Sequence, residues 1–287
     1  MSLQPLEGGW SGETFLAEAA GERSVVRIFA DPRHHPHAAE IQGSLLRLVR
    51  GLVPVPEVLE VRRADPESGT PALLVTEFVD GVRGDLLLPT LPAAGLAGLG
   101  ARLGRIAGTL AGMPQLVGGL FADGDLRIEP FTLDLVAWLA DHEDALGWPE
   151  ADLARLREVA LRAQQRLDEV GRFALVHSDL NPKNVLVDPD SLNIVAVLDW
   201  EFSHSGSPYT DLGNLLRFDR DEAYVDGVLR GYTELRSRAD EAVELARSAD
   251  LVGLVELAAR KEANPVAGRA HDHLVAIARS GDLHARP

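Results

Sequence analysis

Between positions 175 and 211 the chain carries three polar residues whose types and spacing suit metal-assisted chemistry. Asp179 is followed five residues later by Asn184, and the apolar run 194–198 then delivers a second aspartate, Asp199. Phosphoryl transfer from a magnesium nucleotide needs such a set. One carboxylate orients the attacking hydroxyl, and an amide with a second carboxylate holds the metal.

The surrounding sequence places these residues. Residues 173–176 read as a strand that stops at His177, and Asn181-Pro182 is a turn signal. Residues 185–187 and 194–198 read as a hairpin through Asp188-Pro189-Asp190. All three polar residues then fall at strand ends beside one turn, where a hard cation finds oxygen ligands on a rigid support. For a lone His-x-Asp, an aspartate capping backbone amides in a buried turn is the simpler reading. Asp, Asn five residues on, and Asp after an apolar strand together favour the kinase reading.

The string HSDLNPKNVLVD at 177–188, followed by LDWEF at 198–202, resembles the catalytic loop and metal-binding segment of the aminoglycoside phosphotransferase family. That family is a small-molecule branch of the protein-kinase-like fold, with choline and homoserine kinases as relatives. The resemblance implies an α+β, bilobal fold. Residues 1–79 form a small antiparallel-sheet lobe that binds nucleotide, and residues 80–287 a larger, mainly helical lobe for catalysis and the acceptor. ATP or GTP with Mg2+ lies in the cleft. Asp179 orients and deprotonates the acceptor hydroxyl, and Asn184 and Asp199 hold the metal. Val25, Leu186 and Leu198 sandwich the base, and backbone groups of Glu77 and Val79 meet its edge. His177 supports the loop. Residues 206–212 resemble the family's Gly-Asp-Pro-x-x-Asp-Leu with Ser207 in place of the first aspartate, and Asp211 there braces the catalytic loop.

The N-terminal 29 residues read as strand, loop, strand, turn, strand. In the loop Gly8-Gly9-Trp10-Ser11-Gly12-Glu13-Thr14, glycines let backbone N–H groups approach phosphate, so Ser11 and Gly12 are nucleotide-contact candidates. No Gly-Lys-Ser/Thr follows, so it is not a Walker loop, and an ordinary hairpin turn is the alternative. Residues 24–29 alternate as a strand with Val25, Arg27 and Phe29 on one face. Arg27 stands where the kinase-like fold places a phosphate-binding lysine, and a guanidinium fork binds phosphate differently from an ammonium. Pro36 suits the start of a helix whose apolar stripe is Ile41, Leu45, Leu48 and Val49. Glu40 borders that stripe and is the expected partner of Arg27. Helices are also expected over 91–112, 132–146, 150–170, 211–236, 240–263 and 267–280.

The chain has 287 residues, is 46% hydrophobic and contains no cysteine, which excludes disulfides and thiolate metal sites and fits a cytoplasmic protein. No apolar run reaches membrane-spanning length, and positions 1–10 lack the pattern of a signal peptide. The net charge of −16 repels nucleic acid and would steer a polycation inward, though solubility alone also accounts for it. Under the resemblance the acidic stretch at 134–152, with Asp134 and Asp141, and the C-terminal helices wall the acceptor site, and Glu201 lies beside it. A solvated helix face accounts for most of these positions equally well. The acceptor expected is a small, cationic molecule, an aminoglycoside or basic peptide antibiotic. The alternatives are a metabolic kinase of an amino alcohol, a macrolide kinase, and a nucleotide-binding module without turnover.

Overall fold

The computed structural model describes residues 2–6, 14–19, 21–218, 221–236 and 239–285. The first part of the chain is a sheet with one helix packed on it. Strands β1 (Ser2–Pro5), β2 (Thr14–Ala19) and β3 (Glu22–Phe29) precede helix α1 (Ala38–Val49), and β4 (Val58–Arg62) and β5 (Ala72–Glu77) follow it. All pair antiparallel in the order β1-β2-β3-β5-β4. The Val-Val-Arg-Ile-Phe run of β3 suits a half-buried central strand, and its Arg27 lies opposite Thr14 on β2 and Leu74 on β5. Leu45, Leu46 and Val49 of α1 enter the core beneath the sheet.

Past β5 the chain is mainly helical. In order come β6 (Val82–Arg83), α2 (Gly84–Leu87), α3 (Ala93–Leu110), β7 (Pro114–Gln115), β8 (Gly119–Phe121), β9 (Ile128–Pro130), α4 (Leu135–Leu146) and α5 (Glu150–Asp168). Then follow β10 (Phe173–Val176), β11 (Val185–Val187), β12 (Ile194–Val197), β13 (His204–Gly206), α6 (Thr210–Leu216), α7 (Glu222–Thr233), α8 (Ala239–Ala259) and α9 (Pro265–Ser280). A three-stranded sheet has the order β12-β11-β6, and a second five-stranded sheet the order β7-β10-β13-β8-β9. This is the expected α+β architecture: an antiparallel sheet first, then a mainly helical region. Among the described residues no helix is long and apolar enough to cross a membrane.

Two apolar clusters hold these layers. One joins α1 and the first sheet to α3, α6 and α7 and to the strands that carry the polar turn. The other lies among α4, α5, α8 and α9 and includes Leu135, Leu139, Leu156, Leu254, Leu274 and Ile277. The helices begin and end on local signals. Asp134 caps α4 through Ala137 N at 2.8 Å, and Gly147 ends it at φ 65°. Asn264 and Pro265 start α9. The single helix expected over 211–236 is instead two, because Asp221 accepts N–H bonds from Ala223 and Tyr224 and starts α7 afresh.

Helices α3 and α7 approach backbone to backbone through glycines. A Cβ on Gly104 would lie 2.0 Å from Val228 O, and one on Gly231 would lie 2.0 Å from Ala101 O. Gly104→Ala must therefore push the pair apart. It should cost roughly 1–3 kcal/mol and lower the melting temperature by several degrees. A variant that melts like the wild type would show that the two helices can separate freely.

Candidate active site

The turn after β10 is built from its own sequence. Asn181 caps a short 3-10 turn at Pro182–Asn184, its side-chain oxygen accepting from Lys183 N at 3.1 Å, and Pro182 occupies the first turn. The Asp179 carboxylate faces back into this turn. Asn181 Nδ2 donates to its Oδ1 at 2.7 Å, and Asn184 Nδ2 donates to its Oδ2 at 2.8 Å. Lys183 Nζ stands 3.3 Å from the same Oδ2. Since Asn184 spends its amide nitrogen on Asp179, its amide oxygen is left for another partner. Asn184 is 7% exposed, and its carbonyl accepts from Leu198 N at 2.8 Å, which pins the turn to the end of β12.

His177 ties the same two segments from beneath. It is fully buried, with its ring centroid 4.7 Å from that of Trp200. Asp179 N donates to its Nδ1 at 3.3 Å, so Nε2 carries the proton and meets Leu198 O at 2.9 Å. Asp211, at the start of α6, accepts from His177 N at 3.0 Å and Ser178 N at 2.8 Å. Burial pushes the Asp211 carboxyl up, while the His177 ring and the two N–H bonds pull against it. With its amide oriented so that both ends are satisfied, Asn214 donates to Ser178 O at 3.0 Å and accepts from Arg217 Nη2 at 2.9 Å. Arg217 in turn pairs with Asp250 of α8 at 2.6 Å.

Asp199 follows β12 in a left-handed conformation, φ 63°. Its Oδ1 accepts from Arg27 Nη1 at 2.9 Å, and Arg27 Nη2 bonds to Glu201. Burial works against the Arg27 charge, and the two carboxylates more than offset it, so the guanidinium is held charged more firmly than usual. The expected Arg27–Glu40 pair is absent. Glu40 pairs with Arg63 Nε at 2.7 Å and with His37, and the α1 side chain reaching Arg27 is Gln42, 3.5 Å from Nη1. The cause is helix phase. Positions 40 and 42 differ by about 200° around the axis, so only one can face β3, and the sequence does not say which.

The other expected contacts are scattered. Val25, Leu186 and Leu198 are half-buried apolar residues, and Leu186 packs so close to the chain after Val79 that a Cβ on Gly81 would lie 3.0 Å from its own. Glu77 N is bonded to Glu57 O at 2.9 Å, so any contact from Glu77 to a base falls to its carbonyl. Ser11 and Gly12 lie outside the described residues. Asp134 spends its carboxylate on the cap of α4, and Asp141 is exposed on the same helix; no described contact joins either to the Asp179 turn. Sequence reasoning read Asn181 only as a turn signal and passed over Gln42, Lys183, Asn214 and Arg217. The spacing of Asn181 and Lys183 to Asp179 was legible, whereas the rest meet the site only through tertiary packing.

Among the described residues no cluster of three or more His, Cys, Asp or Glu side chains could cage a metal. Mg2+ does not require one, since it binds through one or two carboxylates together with substrate phosphates and water. The free amide oxygen of Asn184 and the carboxylate of Asp199 are hard ligands at strand ends and fit that mode. Arg27 Nε is buried and meets no acceptor among the described residues, a donor that a phosphate oxygen would satisfy.

A model of the APH phosphotransferase enzyme family matches residues 2–242. The chain is 24% identical over 216 residues to acyl-CoA dehydrogenase family member 10 of Mus musculus. That match takes in 74% of this chain and 20% of the mouse protein, so the chain spans about a fifth of the length of this curated relative. Among solved structures it is similar to a thermostable mutant of aminoglycoside phosphotransferase APH(4)-Ia in ternary complex with ADP and hygromycin B. The TM-score is 0.68 at 20% identity, covering 98% of this chain and 94% of that one. It is also similar to a microcompartment-associated aminopropanol kinase, with TM-score 0.70 at 23% identity and 97% and 91% covered. At these identities the likeness is one of fold.

Asp211→Asn keeps the shape of the brace but turns an amide NH2 toward one of the two N–H groups. The orphaned donor should cost roughly 1–3 kcal/mol. Thermal unfolding should register that loss, and amide exchange at His177 and Ser178 should quicken. Unchanged protection of both amides would mean that something else holds the turn.

Proposed function

The chain belongs to the APH phosphotransferase enzyme family, and on that premise we propose that it moves the γ-phosphoryl group of ATP or GTP to a hydroxyl of a small cationic molecule. Membership makes it a small-molecule kinase. The acceptor class, an aminoglycoside or basic peptide antibiotic, and the roles of individual residues are our reading.

The observation that carries the reading is the Asp179 carboxylate, fixed on both oxygens by the Asn181 and Asn184 amides beside the Asp199 turn. In that place Asp179 aligns the acceptor hydroxyl and takes its proton. The acceptor oxygen then bonds to the γ-phosphorus, the bond from that phosphorus to the β–γ bridging oxygen breaks, and ADP or GDP leaves with the electron pair. Asn184 and Asp199 would hold Mg2+, which when bound neutralises phosphate charge. Arg27, on the central strand, binds phosphate from a position set by Asp199 and Glu201. Glu201 thereby orients Arg27 in preference to touching the acceptor. Val25, Leu186 and Leu198 enclose the base, and Glu77 and Val79 meet its edge by main chain. We place the division between nucleotide-binding and catalytic parts at 79/80, where β5 gives way to the short β6.

Net charge supports a cationic acceptor by long-range steering. A second reading, a kinase of an amino alcohol, draws on the aminopropanol kinase likeness. ATP consumption measured against aminoglycosides, tuberactinomycin-type peptides, macrolides and amino alcohols separates them. For a polycation, KM should rise with salt as screening shortens electrostatic reach to about 8 Å at physiological ionic strength. Turnover confined to a neutral acceptor, with KM flat in salt, would exclude the cationic reading.

Asp179→Asn keeps the shape of the side chain and removes the charge that accepts the proton. Turnover should fall by about two to four orders of magnitude, while magnesium–nucleotide affinity stays near wild type because Asn184 and Asp199 are untouched. Retained turnover would move the base elsewhere, and lost folding would make Asp179 a turn residue.

A further inference from the structure

The two cations nearest the Asp179 and Asp199 turns among the described residues are unlike each other. Arg27 is 15% exposed and forked onto Asp199 and Glu201, so its charge is committed to the end of β12. Lys183 is 47% exposed, lies within the short turn at Pro182–Asn184, and reaches Asp179 alone. The oxygen it approaches is Oδ2, the one also held by Asn184. The opposite oxygen, Oδ1, belongs to Asn181. If Asn184 faces the phosphates through its free amide oxygen, Lys183 stands on that same side of Asp179, at the point where hydroxyl and phosphoryl group must meet.

Composition makes the residue type informative. Of the 28 lysines and arginines only two are lysines, Lys183 and Lys261. The other 26 are arginines. Lys261 has a fixed task, donating to Leu146 O at 3.2 Å at the end of α4. A lysine inside the Asp179 turn therefore stands out against its background. The chemistry fits, since an ammonium is a compact charge with three rotatable donors on a flexible stem. It can leave a carboxylate and follow a moving group, which a planar guanidinium locked in a fork cannot.

We propose that Lys183 is a catalytic residue that meets the γ-phosphoryl oxygens as that group crosses from the nucleotide to the acceptor. In the resting site it neutralises Asp179. When the hydroxyl gives its proton to Asp179 and the new oxygen–phosphorus bond forms, charge on the equatorial phosphoryl oxygens falls within reach of Lys183. The bond to the bridging oxygen then breaks, and the electron pair leaves with the nucleoside diphosphate. The inference rests on the phosphotransfer reading above and adds to it a second cation, held by the helical region in place of the first sheet.

The test compares two nucleotides that differ at the γ position. Magnesium-dependent affinities for ADP and for AMP-PNP are measured by calorimetry on the full chain, wild type, Lys183→Met and Lys183→Arg, together with ATP turnover. Lys183→Met should keep ADP affinity near wild type and lose about tenfold or more in AMP-PNP affinity. Turnover should fall by about 100- to 1000-fold, the usual effect of removing one donor from developing charge. Lys183→Arg should restore part of the AMP-PNP preference. An unchanged ratio of the two affinities overturns the proposal whatever turnover does, because a cation acting only through Asp179 does not distinguish the two nucleotides. Equal losses for both, with a lower melting temperature, also overturn it and make Lys183 a structural partner of Asp179. If the wild type binds neither nucleotide with Mg2+, the phosphotransfer reading falls and takes this one with it. Wild-type binding with an unchanged ratio in the variant removes Lys183 alone.

Discussion

The site depends on one strained turn. Ser178 sits at φ 68°, a left-handed conformation that costs a residue with a Cβ about 1–3 kcal/mol. It is this reversal that lets the chain leave a buried strand at His177 and present Asp179 two residues later. Asp211 accepts N–H bonds from both sides of the reversal. Hydrogen bonds to an ionised acceptor are worth about 1.5–3 kcal/mol each, so two of them offset the strain of the turn. Asn214 closes the third side by meeting Ser178 O. Helix α6 thus acts as the mould of the loop, and it is anchored in turn by the Arg217–Asp250 pair to α8.

A second constraint joins the two halves of the chain. Arg27 belongs to the first sheet, whereas Asp199 and Glu201 follow β12 in the helical region. The contact between them at this point is ionic. Arg27 is largely shielded from water while Asp199 and Glu201 stay partly exposed, and a shielded charge left unpaired is costly. Substituting one member would strand the others. The geometry also explains why a fork serves here. A single ammonium could pair with Asp199 or with Glu201 at good distance, but a guanidinium spans both.

The parts legible in the sequence were the local ones. Asp179, Asn184 and Asp199 sit within one hairpin and its approach, so their spacing already fixed them beside one turn. The Asn-Pro turn and the alternation of β3 are equally local, whereas Asp134, expected beside the acceptor, instead caps α4. What escaped needed the third dimension. The partner of Arg27 turned on the rotational phase of α1, which put Gln42 and not Glu40 toward β3. The sheet around β10 is made of strands only two to four residues long, too short for an alternating pattern. The glycines at 100, 104 and 108 recur every fourth residue on one side of α3, and they are the face on which α7 lies; which helix would cover that face is not local information.

The acidic character of the chain also looks different once side chains are paired. Near the helices expected to wall an acceptor, much of the negative charge is already engaged. Glu143 and Glu150 share Arg157, Asp152 meets Arg279, Glu244 meets His284 and Asp250 holds Arg217. Charge spent in this way still adds to the long-range field that draws a cation toward the molecule. It offers no free carboxylate for a close contact, because a second cation would have to displace the first. Recognition of a polycation would therefore combine a general attraction, set by the net charge, with a few close contacts from unengaged groups such as Asp141. The two contributions respond differently to salt. The field fades beyond a Debye length, whereas a close, partly buried contact is screened much less.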